Sequence, residues 1–490
     1  MGPVEGRPIA NSWIVSARPT VCRPHATAST TSRCSTTTIG AIRGPESFPS
    51  GGCIPLADPV GSHARSRAAA GESRGRINVR MAKRQLRVAL LGLFGLGNYG
   101  NEGSLAAMLG HLRKVYQDGQ LASICTCPQR VEEDHQIPAF PMSPQSPPRS
   151  KWFVLRIARK LFLRLPREIA TWLRTIAFLR RVERLVIPGT GVLDDFGLSP
   201  FGVPYAIFRW CVCARLSGTP VLFVSIGAGP IKNRSSRWFM KTAARVAGYR
   251  SYRDHISRNF MTSIGVDTHN DPVYPDLAFS LPVPTATGSS PLPGGPCTVG
   301  VGVMTYYGWR NDPEHGAAIF RTYLNNISRF VLWLLSQGHS VRLIVGDSCD
   351  SLAAAQVISE VTARSDTLRD GQFVARPLPS LNDVLRELAA TDVVVTTRYH
   401  NVVCALMLDK PVISLGYAEK NDVLLAEMGL SKYCQHIERF DLATLISHFC
   451  EVRDNLKRFE SSIRERRGDY RRRLEQQFVT LFPGPIDGPP

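Results

Sequence analysis

A chain of 490 residues is long enough for two domains with cores of their own, and its 43% hydrophobic and 20% charged residues are ordinary for a globular protein. The formal charge of +19 is uneven: residues 1–80 hold ten Arg against four acids, and residues 151–181 hold nine basic residues against one. A nucleic-acid surface would need such residues clustered on a recognised binding module, so nucleic acid is not an expected partner. No apolar run approaches the ~20 residues of a spanning helix. The N-terminus lacks the apolar core of a secretory signal, and position 6 after Met1 and Gly2 is Gly6 rather than Ser or Thr, which argues against myristoylation.

Residues 1–80 are rich in Ser, Thr, Arg, Pro and Gly without sustained periodicity, and are expected to be a disordered extension. Their acid-poor composition also fits a transit peptide, but Met81 opens a stretch that reads as a natural start. From residue 86 the pattern changes. Residues 86–92 read as a strand, residues 94–103 as a glycine-rich loop, and residues 104–116 as a helix with Leu105, Met108, Leu109 and Leu112 on one face. This β–loop–α unit opens a Rossmann-like domain expected over 86–281. Gly95, Gly97 and Gly100 satisfy G-x-G-x-x-G, yet the second strand (121–126) ends at Cys127 and Pro128 with no ribose-binding acid. No NAD or FAD site is therefore expected.

Residues 138–150 read as a Pro/Ser-rich linker. In 151–167, Arg156, Arg159, Lys160, Arg164 and Arg167 form a basic stripe beside Trp152, Phe153 and Leu155. Such a helix can lie on an anionic membrane face or pack its apolar side on the domain, and both readings stay open. The strand 184–188 leads into a second small-residue loop where Gly189 and Gly191 admit a ligand, followed by Asp194 and Asp195. Either carboxylate could deprotonate a hydroxyl, or cap a turn. Arg253 and Asp254 follow a further strand, as site residues or as a structural ion pair. Residues 282–296, dense in Pro, Gly, Ser and Thr, separate the halves.

The second Rossmann-like domain is expected over 297–436, with a charged helix in 437–480 folded back on the core. Its centre is residues 392–401: a buried strand (Val393, Val394, Val395), then Thr396 to His400, then an apolar helix to Leu408. A strand tip that leads into a helix binds anions. Arg398 adds a charged fork for carboxylate or phosphate, and His400 a general acid. Lys420 lies beyond the next strand, either as a second cation or as a solvated lysine. The twelve Cys show no metal spacing: Cys125/Cys127 and Cys211/Cys213 sit in apolar runs as expected buried thiols, which suits a reducing, cytoplasmic setting.

The stretch 397–420, with Arg398, Tyr399, His400, Tyr417 and Lys420, resembles the C-terminal signature of the polysaccharide pyruvyl transferase family. Supporting matches are Asn98 and Gly100 in the first loop (where the family's Asp is Asn101, followed by Glu102), the glycines of 227–230, and Arg253, Asp254 and Ser257. The resemblance implies an α/β fold of two Rossmann-like domains with parallel sheets, GT-B-like, with the active site in the interdomain cleft. It implies phosphoenolpyruvate as donor, a saccharide acceptor that is lipid-linked in some settings, and a ketal-linked pyruvate in cell-surface polysaccharide synthesis. It assigns Arg398 to donor binding and His400 to proton donation, and requires no metal or organic cofactor. Tyr399, Asn98, Gly100, Gly191 and Arg253 are further binding candidates. The alternative on the same plan is a nucleotide-sugar glycosyltransferase, with Glu419 as its nearest nucleotide-binding acid.

Overall fold

A computed structural model describes residues 86–144, 164–195, 199–284, 294–308, 312–364 and 368–483. The expectations for residues 1–80, for nearly all of 151–165 and for the middle of the 282–296 linker lie outside those residues.

The aliphatic and β-branched runs form two sheets. Strands β1 (Leu86–Leu91), β2 (Leu121–Cys125), β3 (Ala139–Pro141), β4 (Val182–Pro188), β5 (Val221–Ile226) and β6 (Tyr249–Tyr252) pair in the order β3-β2-β1-β4-β5-β6. Strands β7 (Thr298–Val303), β8 (Ser340–Val345), β9 (Phe373–Ala375), β10 (Val393–Thr396), β11 (Val412–Gly416) and β12 (Cys434–His436) pair as β12-β11-β10-β7-β8-β9. Every pairing is parallel. Counted from its own first strand, the second sheet repeats the order of the first, the doubly wound Rossmann order. Each sheet reverses direction of winding at one place, between β1 and β4 and between β7 and β10. Ligands of such sheets bind beyond the strand ends at that place.

Helices link the strands: α1 (Tyr99–Leu112), α2 (Pro128–His135), α3 (Arg164–Leu179), α4 (Val203–Leu216), α5 (Arg234–Val246) and α6 (His255–Ser263) in the N-terminal half. The C-terminal half has α7 (Pro313–Ser336), α8 (Ser351–Arg364), α9 (Leu381–Ala389), α10 (Tyr399–Met407), α11 (Glu419–Glu427), α12 (Leu442–Asp454) and α13 (Leu456–Leu481). Two readings of the sequence are corrected. The helix expected from residue 104 starts at Tyr99, because the Asn98 side chain accepts from the N–H groups of Gly100 and Asn101 and nucleates the turn earlier. Ala139–Pro141, read as linker, is the sheet's edge strand, a position that tolerates a proline because one side needs no donor.

One core lies between the N-terminal sheet and α3, α4 and α5, built from residues such as Ile187, Trp210, Phe223 and Tyr252. The other is continuous from the α1 side of that sheet through the whole C-terminal half. Helix α13 closes the molecule by returning to the first half. His111 stacks on Phe478 with centroids 4.3 Å apart, and buried Gln477 bonds Ser225, Ser251 and Tyr249. At its other end Arg464 and Arg467 hold Asp409, just past α10. Among the described residues no helix is long and apolar enough to cross a membrane.

Candidate active site

The glycine loop after β1 and the turn after β10 meet across the cleft. Gly95 and Gly97 take positive φ (83° and 78°), which only glycine adopts cheaply, and turn the chain into α1. Glu102 folds back to accept from the Gly95 N–H at 2.7 Å, so the acid beside the family's Asp position holds the loop. Burial pushes the Glu102 carboxyl up, opposed by the backbone N–H groups it accepts from. The second residue of α1 is Gly100, and against it sits the imidazole of His400, the second residue of α10. A Cβ on Gly100 would fall 1.9–2.3 Å from three ring atoms of His400. That G-x-G-x-x-G glycine therefore admits a side chain from the other half.

Arg398 occupies the N-cap position of α10 but makes no capping bond. Its Nε and Nη2 donate to the two carboxylate oxygens of Asp350, each at 2.7 Å, and Nη2 also reaches Cys349 Sγ at 3.0 Å. Asp350 is fully buried and also accepts from the Thr305 N–H. The third nitrogen, Nη1, lies 4.0 Å from Asp347, whose Oδ2 accepts from Asn98 Nδ2 across the cleft at 3.2 Å. The guanidinium is thus locked in orientation by a bidentate pair, with Nη1 toward the side where Asn98 arrives. Asp347 and Asp350, which follow the tip of β8, were not among the expected site residues. The signal for them was available: acids directly after a strand's carboxyl end, where such sheets place functional groups.

Three cations surround His400. Burial, then Arg253, Lys420 and Arg398, hold the imidazole well below its ordinary value. Arg253 comes from the N-terminal half, with its guanidinium 4.9 Å from the centre of the Tyr399 ring and near Asp254 (3.4 Å) and Asp276 (3.6 Å). Lys420 stands 5.3 Å from the Tyr399 ring centre and 5.1 Å from that of Tyr417. Burial raises the Tyr417 phenol, but Lys420, Arg398 and Arg253 more than offset this and leave it below its ordinary value. Arg253, Asp276, Tyr399 and Lys420 line a shallow crevice together with Glu427 and Tyr470. Helix α11, which carries Lys420, has no side-chain cap either, and Asn421 Nδ2 donates to the Thr397 carbonyl, tying α11 to the turn before α10.

The remaining expected residues divide. Asn98 caps α1 and reaches Asp347, so it joins the site by holding two loops together. Asp195 is buried and accepts from the N–H groups of Lys232 and Asn233, each at 2.9 Å, which is the turn-acid alternative. Asp194 packs against Gly229, where a Cβ would meet its Oδ2 at 2.0 Å. Gly191 has open space where a Cβ would stand. Asp254 caps α6 through the Ser257 N–H, and Ser257 Oγ accepts from the Ala228 N–H, so both brace the 227–230 turn beside Arg253. Cys125 and Cys211 are buried, and burial pushes the Cys125 thiol up to about 12. Among the described residues no group of three His, Cys, Asp or Glu is placed to hold a metal ion.

Solved structures share this architecture. A UDP-GlcNAc 2-epimerase from Methanocaldococcus jannaschii is 10% identical, with a TM-score of 0.50 over 77% of this chain and 97% of that one. A protein from Listeria monocytogenes described as a UDP-N-acetylglucosamine 2-epimerase is 12% identical, with a TM-score of 0.51 over 81% and 97%. At such identities the likeness is one of fold: two Rossmann-like domains in the GT-B arrangement of sugar-modifying enzymes. No curated protein matches the chain in sequence. The family model described as polysaccharide pyruvyl transferase matches residues 98–419, well over half the chain, and the protein belongs to that family. It is a transferase of polysaccharide pyruvylation.

Proposed function

We propose that the enzyme transfers pyruvate from phosphoenolpyruvate to two hydroxyls of a saccharide as a ketal and releases phosphate. The observation that carries this reading is the placing of His400 against α1 among Arg398, Arg253 and Lys420, beside two helix N-termini without side-chain caps. Those N–H groups and cations suit a small ligand with a carboxylate and a phosphate. Arg398, oriented by Asp350, and Arg253 and Lys420, oriented by the Tyr399 face, are the donor-binding groups.

The depressed basicity of His400 has a use in this scheme. Without donor, burial first and then the surrounding positive charge keep the imidazole neutral at neutral pH. A donor's negative charges offset the cationic part of that shift and raise the imidazole's basicity when there is something to protonate. His400 then delivers the proton to the methylene carbon while a sugar hydroxyl oxygen bonds to the enol carbon. The enol carbon–oxygen bond breaks as phosphate leaves with the bridging oxygen, and the second hydroxyl closes the ketal. Of the two hydroxyl protons, one restores His400 and one goes to the departing phosphate. We assign the relay of the first to a carboxylate of the 194–195 pair, and because Asp195 accepts from two backbone N–H groups, Asp194 is the one to test.

Phosphate release from phosphoenolpyruvate with a galactose- or mannose-bearing acceptor tests the reading. His400→Ala is expected to lose roughly 10²-fold or more in turnover at an unchanged melting temperature. Wild-type-like turnover in that variant removes His400 from the mechanism. Release of a nucleoside diphosphate from a nucleotide sugar, with no use of phosphoenolpyruvate, replaces the reading by the glycosyltransferase one. Glu419, on which that alternative depends, is exposed in the first turn of α11.

A further inference from the structure

Helices α3, α4 and α5 lie side by side over one face of the N-terminal sheet, and their outer surface is unusual. Leu165, Ile169 and Leu173 recur every four residues along α3, and each is more than half exposed. Trp238 on α5 and Phe201, just before α4, are also more than half exposed. Beneath these positions ring contacts tie the three helices together: Trp172 to Phe208 at 6.2 Å, Phe208 to Trp238 at 5.1 Å, and Phe201 to Tyr205 at 6.2 Å. The one acid on α3, Glu168, is paired, accepting from the Tyr205 hydroxyl at 2.7 Å and lying 3.7 Å from Arg209.

The stretch of sequence that builds this face is strongly basic. Residues 151–250 hold 18 Lys and Arg against four acids, a net +14, whereas residues 251–490 hold 24 against 27, a net −3. Exposed Arg174, Arg215 and Arg234 lie on the three helices of the patch. A second copy of the same face would bring two strongly positive surfaces together, which disfavours self-association. A nucleic acid would match the charge and leave the leucines and Trp238 in water. An anionic bilayer matches both, with apolar side chains and an interfacial tryptophan below the headgroups and arginines on their phosphates.

We propose that this face docks on an anionic phospholipid surface, with Leu165, Ile169, Leu173 and Trp238 in the interface. The proposal does not depend on phosphoenolpyruvate being the donor. It is tested by flotation of the full chain with vesicles of phosphatidylcholine alone or mixed with phosphatidylglycerol. Binding is expected only with phosphatidylglycerol, weakening as salt rises. The double variant Leu173→Asp/Trp238→Ser is expected to bind roughly tenfold more weakly or worse at an unchanged melting temperature. Arg174→Glu/Arg215→Glu is expected to lose binding in the same direction. Brominated lipid is expected to quench fluorescence in the wild type and much less in Trp238→Phe. Equal flotation with both vesicle types, or wild-type flotation of the Leu173/Trp238 variant, overturns the assignment. So does a wild-type dimer that the same variant dissociates, because the patch would then be a protein interface.

Discussion

Helices α1 and α10 begin alike and act oppositely. The first starts Asn98, Tyr99, Gly100, Asn101; the second starts Arg398, Tyr399, His400, Asn401. Each tyrosine reaches into the other half: the Tyr99 hydroxyl donates to the Leu378 carbonyl, and the Tyr399 ring lies under Arg253. The difference is in the flanking positions. Where α1 has a neutral cap and no side chain, α10 has a cation and an imidazole. One helix start is emptied and the other filled, so the two fit. They also bring two positive dipole ends together, an arrangement that an anion between them relieves. One topology used twice therefore yields a receiving half and a reacting half, and the division rests on a few residues at two strand-to-helix turns.

The comparison can be broken at several points. The largest expected effect is at the support of Arg398. Asp350→Ala removes the carboxylate from a buried bidentate pair and leaves the guanidinium uncompensated, which is expected to cost about 3–5 kcal/mol of stability by chemical denaturation. Next is the emptied position. Gly100→Ala places a methyl where the His400 ring lies, and the ring must move; turnover is expected to fall roughly tenfold to a hundredfold with the fold retained. The same substitution at Gly191, where no atom stands near, is expected to change turnover far less and serves as the contrast.

A smaller effect follows from His400 itself. Because its folded basicity is depressed, the unfolded chain binds a proton that the folded protein refuses once pH drops below about 6.5. Stability should therefore fall as pH decreases through that window, by up to about 1.4 kcal/mol per pH unit for this one group. His111, His135, His339 and His448 are lowered too, each mainly by burial, and add slopes of the same sign. In melting curves across pH, His400→Gln should flatten the acid side, and saturating phosphoenolpyruvate, by raising the folded imidazole's basicity, should flatten the wild-type curve in the same direction. An unchanged slope in the variant means that His400 is not held neutral.

Much of the fold was readable because parallel strands buried on both faces are continuous apolar runs, as in residues 86–91, 221–226 and 393–396. The Arg398–His400 turn was readable too, since its position between strand and helix is local. What local pattern could not supply was partnership. Nothing near Gly100 says that its missing side chain serves a histidine 300 positions later, and nothing near Arg398 names Asp350. Asp194 and Asp195 are neighbours of one type, and only the path of the 231–233 loop separates a carboxylate taken up by backbone from one beside Gly229. The edge strand at 139–141 escaped because three residues with a proline carry no period of their own.

The grip of α13 on both halves has a mechanical result. Through Arg464 and Arg467 it holds Asp409, at the far end of the nine-residue rod that begins with Tyr399, while Gln477 anchors it in the opposite lobe. It behaves like the spine of a book whose cover is bolted to the lever bearing the imidazole. Tyr470, midway along that spine, lines the crevice with Arg253 and Lys420, so the helix that fixes the angle between the lobes also forms a wall of the site.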